Sequence, residues 1–508
     1  MITMTIWGED FEQEVRPLIK SFYPGEEFQV TKKEESTLSA ETIRTAEQFK
    51  ELLVALPEEE QPAYAFCLRK TEGVLAVRAD GVWYADAFAG VPENAERRIY
   101  KDCLMRKLYL ILQKLTGKTL PWGIMTGIRP TKQVLERLEE GESAEQIRSF
   151  LKEEYYCTDE KIETSLTVAK KEHEILTELD YRNGYSVYIG IPFCPSTCYY
   201  CSFPSFPIKI HGHLMEAYLA ALKKEIQYAA TAIPGKKLQS IYIGGGTPTT
   251  LSAEQLDDLF TAVENAFDLS HLKEYTVEAG RPDSITPEKL QAIKRHGIPR
   301  ISINPQTMKQ ETLDLIGRKH TVEQIEETFY QARELGFENI NMDMIIGLAK
   351  ETPADVALTL ERIGRLSPDN LTVHTLAVKR AARLNTNRED YADMAAENVQ
   401  EMLRLTYEFA KAQNYHPYYL YRQKNMTENL ENIGYSRPGK EGIYNILIME
   451  ERQTILALGA GATSKFVFRE KNQLERVENV KSLKDYIERT DEMIERKKRF
   501  LEEFGDRL

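Results

Sequence analysis

The sequence predicts an α/β protein. An incomplete parallel barrel of six strand–helix units occupies its centre, after an N-terminal α+β and helical accessory region and before a mixed C-terminal domain. Three observations predict this. At 508 residues the chain exceeds one ordinary domain. From Tyr185 onward, short apolar runs alternate with helical stretches, the pattern of a parallel sheet with crossover helices. Beyond Ala381 that alternation gives way to an aromatic-rich, mixed pattern. The expected regions are therefore 1–180, 181–380 and 381–508.

In the first region, Ile2 to Trp7 reads as a strand and Phe11 to Phe22 as an amphipathic helix. Ala63 to Arg69, Val74 to Arg78 and Val82 to Phe88 are short apolar runs, and Asp80-Gly81 between the last two is a hairpin signal. The pattern from Ala95 to Leu179 is helical. It is broken by Thr119-Leu-Pro-Trp-Gly-Ile-Met-Thr-Gly-Ile-Arg129-Pro, where proline after arginine starts a helix or forms a contact loop. No catalytic constellation appears here.

The central strands are Val187–Ile191, Ser240–Ile243, Glu274–Val277, Arg300–Ile303, Asn339–Ile345 and Asn370–Thr375. Ser252-Ala-Glu-Gln255 and Thr321-Val-Glu-Gln324 are capping boxes, Thr286-Pro287 opens a helix, and Gly297 and Gly336 sit where helices end. In the last region Met394 to Gln413 reads as a helix, followed by Tyr415-His-Pro-Tyr-Tyr-Leu-Tyr421 and a small-residue turn within 455–464. Residues 481–504 read as a charged terminal helix.

Composition narrows the function. The net charge of −13 argues against general affinity for nucleic acid or anionic lipid. No apolar run approaches a membrane span, and the N-terminus lacks the basic start of a signal peptide. Cys67, Cys103 and Cys157 lie far apart in apolar settings and read as reduced thiols, so the expected location is cytoplasmic.

The chemistry concentrates in Tyr188-Ile-Gly-Ile-Pro-Phe-Cys194-Pro-Ser-Thr-Cys198-Tyr-Tyr200-Cys201-Ser-Phe203. Three thiolates at C-x3-C-x2-C spacing suit an iron–sulfur cluster, or zinc with a distant fourth ligand. Gly244-Gly245-Gly246-Thr247-Pro248 follows the second strand, where glycines let backbone approach a ligand or simply make a tight turn. Glu278, Gln306, Arg318 and Asp343 fall at or just after later strands, where parallel architectures keep their chemistry; each also reads as a hydrogen-bonded strand-end residue.

Together these motifs resemble the radical S-adenosylmethionine (SAM) enzymes. Within them, residues of about 183–465 resemble the oxygen-independent coproporphyrinogen III oxidases and their heme-chaperone relatives. The triad, Gly-Gly-Gly-Thr-Pro, Asn341-x-Asp343-x-Ile-x-Gly-Leu and the late Gly-x-Gly-Ala-x-Ser464 carry the likeness. The resemblance implies that Cys194, Cys198 and Cys201 ligate a [4Fe-4S] cluster, and that Tyr188, Gly245, Glu278 and Thr463 contact cluster-bound SAM. It further implies that Tyr200, Gly246, Thr247, Gln306, Arg318, Asp343 and Ala377 line a second SAM position.

The implied activity is oxidative decarboxylation of coproporphyrinogen III propionates to protoporphyrinogen IX, in heme biosynthesis. Its implied partners are a tetrapyrrole substrate and a low-potential electron donor of flavodoxin or ferredoxin type. The alternatives are heme binding and trafficking, or radical chemistry on another tetrapyrrole. Phe203 stands where the oxidases carry a fourth cysteine, as in the chaperones, yet the chaperones' heme signature is absent and Asn432-Ile-Gly-Tyr435 is closer to the oxidase pattern. With the long N-terminal region, this combination resembles the oxidase-like Z-type branch. Lys379, Arg380 and Arg383 are candidate propionate contacts or a solvated basic cluster. Tyr418, Tyr419 and Tyr421 either flank a macrocycle or pack in a core. His374 is a candidate heme ligand or a strand-end histidine.

Overall fold

A computed structural model describes residues 1–34, 43–127, 129–376, 398–423, 430–470 and 473–508. The chain forms two compact units, Met1–Leu166 and Thr167–Leu508.

The first unit is built on a five-stranded sheet of order β2-β1-β3-β4-β5. Its strands are β1 (Ile2–Gly8), β2 (Phe28–Lys33), β3 (Tyr64–Leu68), β4 (Gly73–Ala79) and β5 (Val82–Phe88). β1 runs parallel to β2 and β3, while β3, β4 and β5 are antiparallel. Asp80 and Gly81 both take positive φ, the conformation that lets a two-residue turn join twisted strands. Trp7, Phe49, Cys67 and Trp83 share one buried cluster, so Cys67 is a core thiol.

The second unit holds an eleven-stranded sheet of order β14-β15-β13-β12-β11-β10-β9-β6-β16-β17-β18. Six parallel strands form its middle: β6 (Gly184–Ile191), β9 (Lys237–Gly245), β10 (Glu274–Gly280), β11 (Arg300–Ile303), β12 (Asn339–Ile346) and β13 (Asn370–Thr375). The two-residue strands β7 (Phe193–Cys194) and β8 (Phe206–Pro207) pair separately.

The later chain continues the same sheet at both edges. β14 (His416–Tyr421) and β15 (Asn432–Ser436) add antiparallel beside β13. β16 (Thr454–Leu458) adds parallel to β6, followed by antiparallel β17 (Thr463–Val467) and β18 (Leu474–Glu478). Order runs from β14 to β18 without closing, so the fold is an open α/β sheet rather than a closed barrel.

Both capping boxes form. The Ser252 and Thr321 side chains accept from the N3 backbone amides, and Gln255 and Gln324 return the bond. The terminal helix is interrupted: it runs over Leu483–Glu488 and Thr490–Phe504, with Arg489 between them at non-helical φ −120°, ψ 27°. The break lets Tyr486 and Lys497 turn into one buried polar network.

Candidate active site at the carboxyl ends of the parallel strands

β6 delivers Tyr188 and then the cysteine loop. Phe206 N donates to Pro192 O at 2.8 Å, closing the loop's base where β7 meets β8. Cys194 and Cys198 are buried, Cys201 is half-buried, and all three are reduced. Burial pushes the Cys194 thiol up to about 11.

Thr247 and Arg281 reach two of the sulfurs. Thr247 Oγ1 lies 3.6 Å from Cys194 Sγ, and Arg281 Nη1 lies 3.6 Å from Cys198 Sγ. Arg281 also donates to Ser196 O at 3.0 Å and forks onto Asp283 at 2.9 and 2.7 Å. Burial alone would raise the Asp283 carboxyl, but His320 and Arg281 hold it below the usual carboxylate range.

Among the described residues no three His, Cys, Asp or Glu side chains converge as one metal ion requires. A cubane cluster asks something else, since each thiolate binds its own iron. Three soft donors on one loop, with N–H and O–H groups beside two sulfurs, fit that demand.

The glycine turn closes over this loop. Gly246 N donates to Ile191 O at 2.8 Å, and Thr247 N to Phe193 O at 2.7 Å. A Cβ on Gly246 would lie 2.5 Å from Phe193 O, so only glycine permits the approach. Gly245 takes φ +106°.

From β10, Glu278 points back at the same turn, and a Cβ on Gly244 would meet its Oε2 at 2.9 Å. Tyr242 Oη donates to Glu278 Oε1 at 2.5 Å. Burial pushes the Glu278 carboxyl up to about 7, against the lowering pull of that hydroxyl. The Tyr242 ring stacks near-parallel on Tyr188 and on Tyr444, of helix Ile443–Glu450.

Tyr188, Gly245 and Thr463 line one cavity of about 300 Å³, together with Tyr444, Phe203 and Ala460. Three of the four residues expected around cluster-bound SAM thus converge from three separate segments. The fourth, Glu278, stands behind the glycine turn.

A second group forms across β11 and β12. Gln306 takes φ +68°; its N–H donates to Asp343 O, and its carbonyl accepts from Ile345 N, both at 2.9 Å. Its Oε1 is buried without a hydrogen-bond partner among the described residues, as is Arg318 Nε. Arg318 donates to Asn304 O at 2.5 Å and faces Tyr200 and Cys198. Asp343 accepts from Asn341 Nδ2 at 2.7 Å and lies 3.9 Å from His374 Nε2. Burial works against its ionisation, yet His374 and Asn341 hold its carboxyl below the ordinary value. Orphaned buried polar atoms suit a polar ligand between these side chains.

Ala377, Lys379, Arg380 and Arg383 lie outside the described residues. Tyr418 and Tyr419 are buried: Asn445 Nδ2 donates to Tyr418 Oη at 3.1 Å, and Gly434 exists because the Tyr419 ring occupies its Cβ space. They belong to the core. The His374 imidazole faces Asp343 and Tyr421.

Sequence reasoning missed Tyr242, Arg281 and Tyr444. Period-two alternation places Tyr242 on the same face of β9 as Gly244, and Arg281 follows Glu278 by three residues, but neither residue type is diagnostic alone.

The radical SAM superfamily model matches residues 188–363. The chain is 42% identical over 424 residues to the oxygen-independent coproporphyrinogen-III oxidase-like protein HemZ of Bacillus subtilis, covering 82% of this chain and 84% of that protein. It is 32% identical over 278 residues to the heme chaperone HemW of Lactococcus lactis, covering 55% and 69%. The solved structure of Escherichia coli coproporphyrinogen III oxidase (HemN), described as a radical SAM enzyme, superposes with a TM-score of 0.50 at 25% identity, covering 64% of this chain and 73% of that one.

Proposed function

Since the chain belongs to the radical SAM family that unites oxygen-independent coproporphyrinogen III oxidases, their HemZ-type relatives and heme chaperones, we propose that it decarboxylates coproporphyrinogen III propionates oxidatively. That family uses a [4Fe-4S] cluster and SAM. The observation that carries the reading is the junction of two sites at the cysteine loop. One is the cavity of Tyr188, Gly245 and Thr463; the other is the polar nook of Tyr200, Gln306, Arg318 and Asp343.

When bound, cluster and SAM supply a 5′-deoxyadenosyl radical, which needs one electron from a low-potential donor. The chain's residues do the rest. Cys194, Cys198 and Cys201 hold the cluster; the glycine turn offers backbone groups, and Glu278 its carboxylate, to the methionyl ammonium or ribose hydroxyls. Arg318 suits a carboxylate in the second position, an arrangement the decarboxylating relatives are expected to need. The aromatic stack of Tyr188, Tyr242 and Tyr444 helps exclude water from the reacting carbon. Each propionate loses a hydrogen atom from its β-carbon, then CO2 and one electron to an acceptor, leaving a vinyl group. The substrate is a tetrapyrrole; among the described residues no helix is long and apolar enough to cross a membrane.

A second reading, heme trafficking, draws support from Phe203 and from the HemW likeness. One experiment separates them: anaerobic incubation of reconstituted protein with SAM, dithionite and coproporphyrinogen III, followed by mass. Two lost CO2 units with 5′-deoxyadenosine support the decarboxylase. Unchanged tetrapyrrole mass alongside tight heme binding supports trafficking.

A further inference from the structure

The C-terminal helix reaches the cofactor cavity through a fully buried ion pair. Helix Met215–Ala232 carries Tyr218 and Glu225 seven residues apart, two turns along one face. Glu225 and Lys497 are 0% and 1% exposed, and Lys497 Nζ lies 2.7 Å from Glu225 Oε1. Lys497 also donates to Asn479 Oδ1 at 2.6 Å.

The Glu225 carboxylate is filled on both oxygens. Oε1 accepts from Lys497 and from Asn479 Nδ2 at 2.9 Å; Oε2 accepts from Tyr486 Oη at 2.6 Å and from the backbone N–H of Gly459 at 2.8 Å. Two helical turns towards the N-terminus from Glu225, Tyr218 Oη donates to Gly190 O at 2.5 Å and accepts from Ala460 N at 3.2 Å. The turn is tight enough that a Cβ on Gly459, at φ +101°, would lie 2.6 Å from both Gly190 O and Tyr218 Oη.

Gly190 and Ile191 form one wall of the 300 Å³ cavity, and Ala460 to Thr463 form the facing wall. Tyr218 and Glu225 therefore set the spacing between the two walls. Lys497, from the terminal helix, pairs with Glu225 and holds it in place. Burying an ion pair costs desolvation that its attraction barely repays, so such a pair is poorly explained as a source of stability. A charged acceptor for Gly459 N–H, however, fixes a turn more firmly than a neutral one.

We propose that Lys497 and Tyr218 are positioning residues for SAM. Acting through Glu225 and through Gly190, they hold the 459–463 turn at the distance from β6 that SAM requires. This rests on the assignment of that cavity to SAM.

The test compares wild type, Lys497→Met, Lys497→Arg and Tyr218→Phe, each with reconstituted cluster. SAM affinity is measured by equilibrium dialysis, and SAM cleavage with dithionite gives KM and kcat. The expected result for Lys497→Met is a Kd and KM for SAM raised about tenfold, with KM affected more than kcat. Lys497→Arg recovers most of the affinity. Tyr218→Phe, which keeps the ion pair and the ring, also raises Kd.

If Lys497→Met does not fold, Tyr218→Phe decides alone. Folded variants that lose thermal stability but bind SAM as wild type does overturn the proposal. A wild type that binds no SAM overturns the cavity assignment itself, and the proposal with it.

Discussion

The hydroxyl of Tyr242 donates to Oε1 of Glu278 at 2.5 Å, inside a stack of three tyrosines and behind the glycine turn. Burial and this hydrogen bond pull the carboxyl in opposite directions, and burial wins, leaving it near 7. A carboxylate that must accept from an ammonium or from hydroxyls acts only when ionised. SAM affinity is therefore expected to rise with pH through about 7. Tyr242→Phe removes the lowering contact, so the midpoint should move to higher pH. Asp343 and His374 also face Glu278, and Tyr242→Phe leaves both in place. Dialysis across pH 6 to 8.5 reads the shift; coincident profiles would contradict this role for Tyr242.

Glu351 offers a stability counterpart. It is buried and accepts from Thr307 Oγ1 at 2.6 Å, and burial pushes it up to about 7 from a usual 4.5. The folded protein then keeps a proton that the unfolded chain releases, so its contribution is fully present below about 4.5 and fades as pH rises towards 7. The span is worth about 3 kcal/mol. Glu351→Gln should flatten the fall in melting temperature between pH 5 and 7.5, leaving the remaining slope to groups such as Glu278.

Gly246 cannot carry a side chain. Its added Cβ would lie 2.5 Å from Phe193 O and 2.8 Å from Ile191 O, both backbone of the segment that delivers Cys194. Gly246→Ala should cost about 1–3 kcal/mol in stability and lower the iron content reached on reconstitution. Denaturant melts and iron analysis check both. Normal iron loading would mean that the loop does not depend on this packing.

Arg281 Nη1 sits 3.6 Å from Cys198 Sγ while its fork is committed to Asp283. Donors to ligating sulfurs stabilise the reduced, more negative state of a cluster. Arg281→Lys keeps the charge but loses the fork, and should leave iron content intact while making the midpoint potential more negative. An EPR-monitored redox titration gives the answer.

Much of the site was legible because its chemistry depends on residue type and spacing. The six central strands emerge where the apolar runs lie, β11 and β13 with the same bounds, because parallel strands buried on both faces leave continuous apolar runs. Tyr188, Gly245 and Thr463 could be named from motifs. Their convergence on one cavity could not, since Thr463 reaches it through β16 pairing with β6 across some 270 residues of sequence. Tyr242 and Arg281 were silent because a strand tyrosine or an arginine after a strand usually packs or pairs without further role. Arg489 looked like helix interior, yet the helix breaks there, with Tyr486 before and Lys497 after the break both bonded to Glu225.

The central claim is hydrogen abstraction from the β-carbon of a substrate propionate, and isotope transfer tests it most directly. Coproporphyrinogen III deuterated at the propionate β-carbons would be incubated anaerobically with reconstituted protein, SAM and reductant, and the 5′-deoxyadenosine weighed. The account predicts deuterium in 5′-deoxyadenosine together with vinyl groups in the product, and neither in Cys198→Ala. Unlabelled 5′-deoxyadenosine over an intact tetrapyrrole would contradict it.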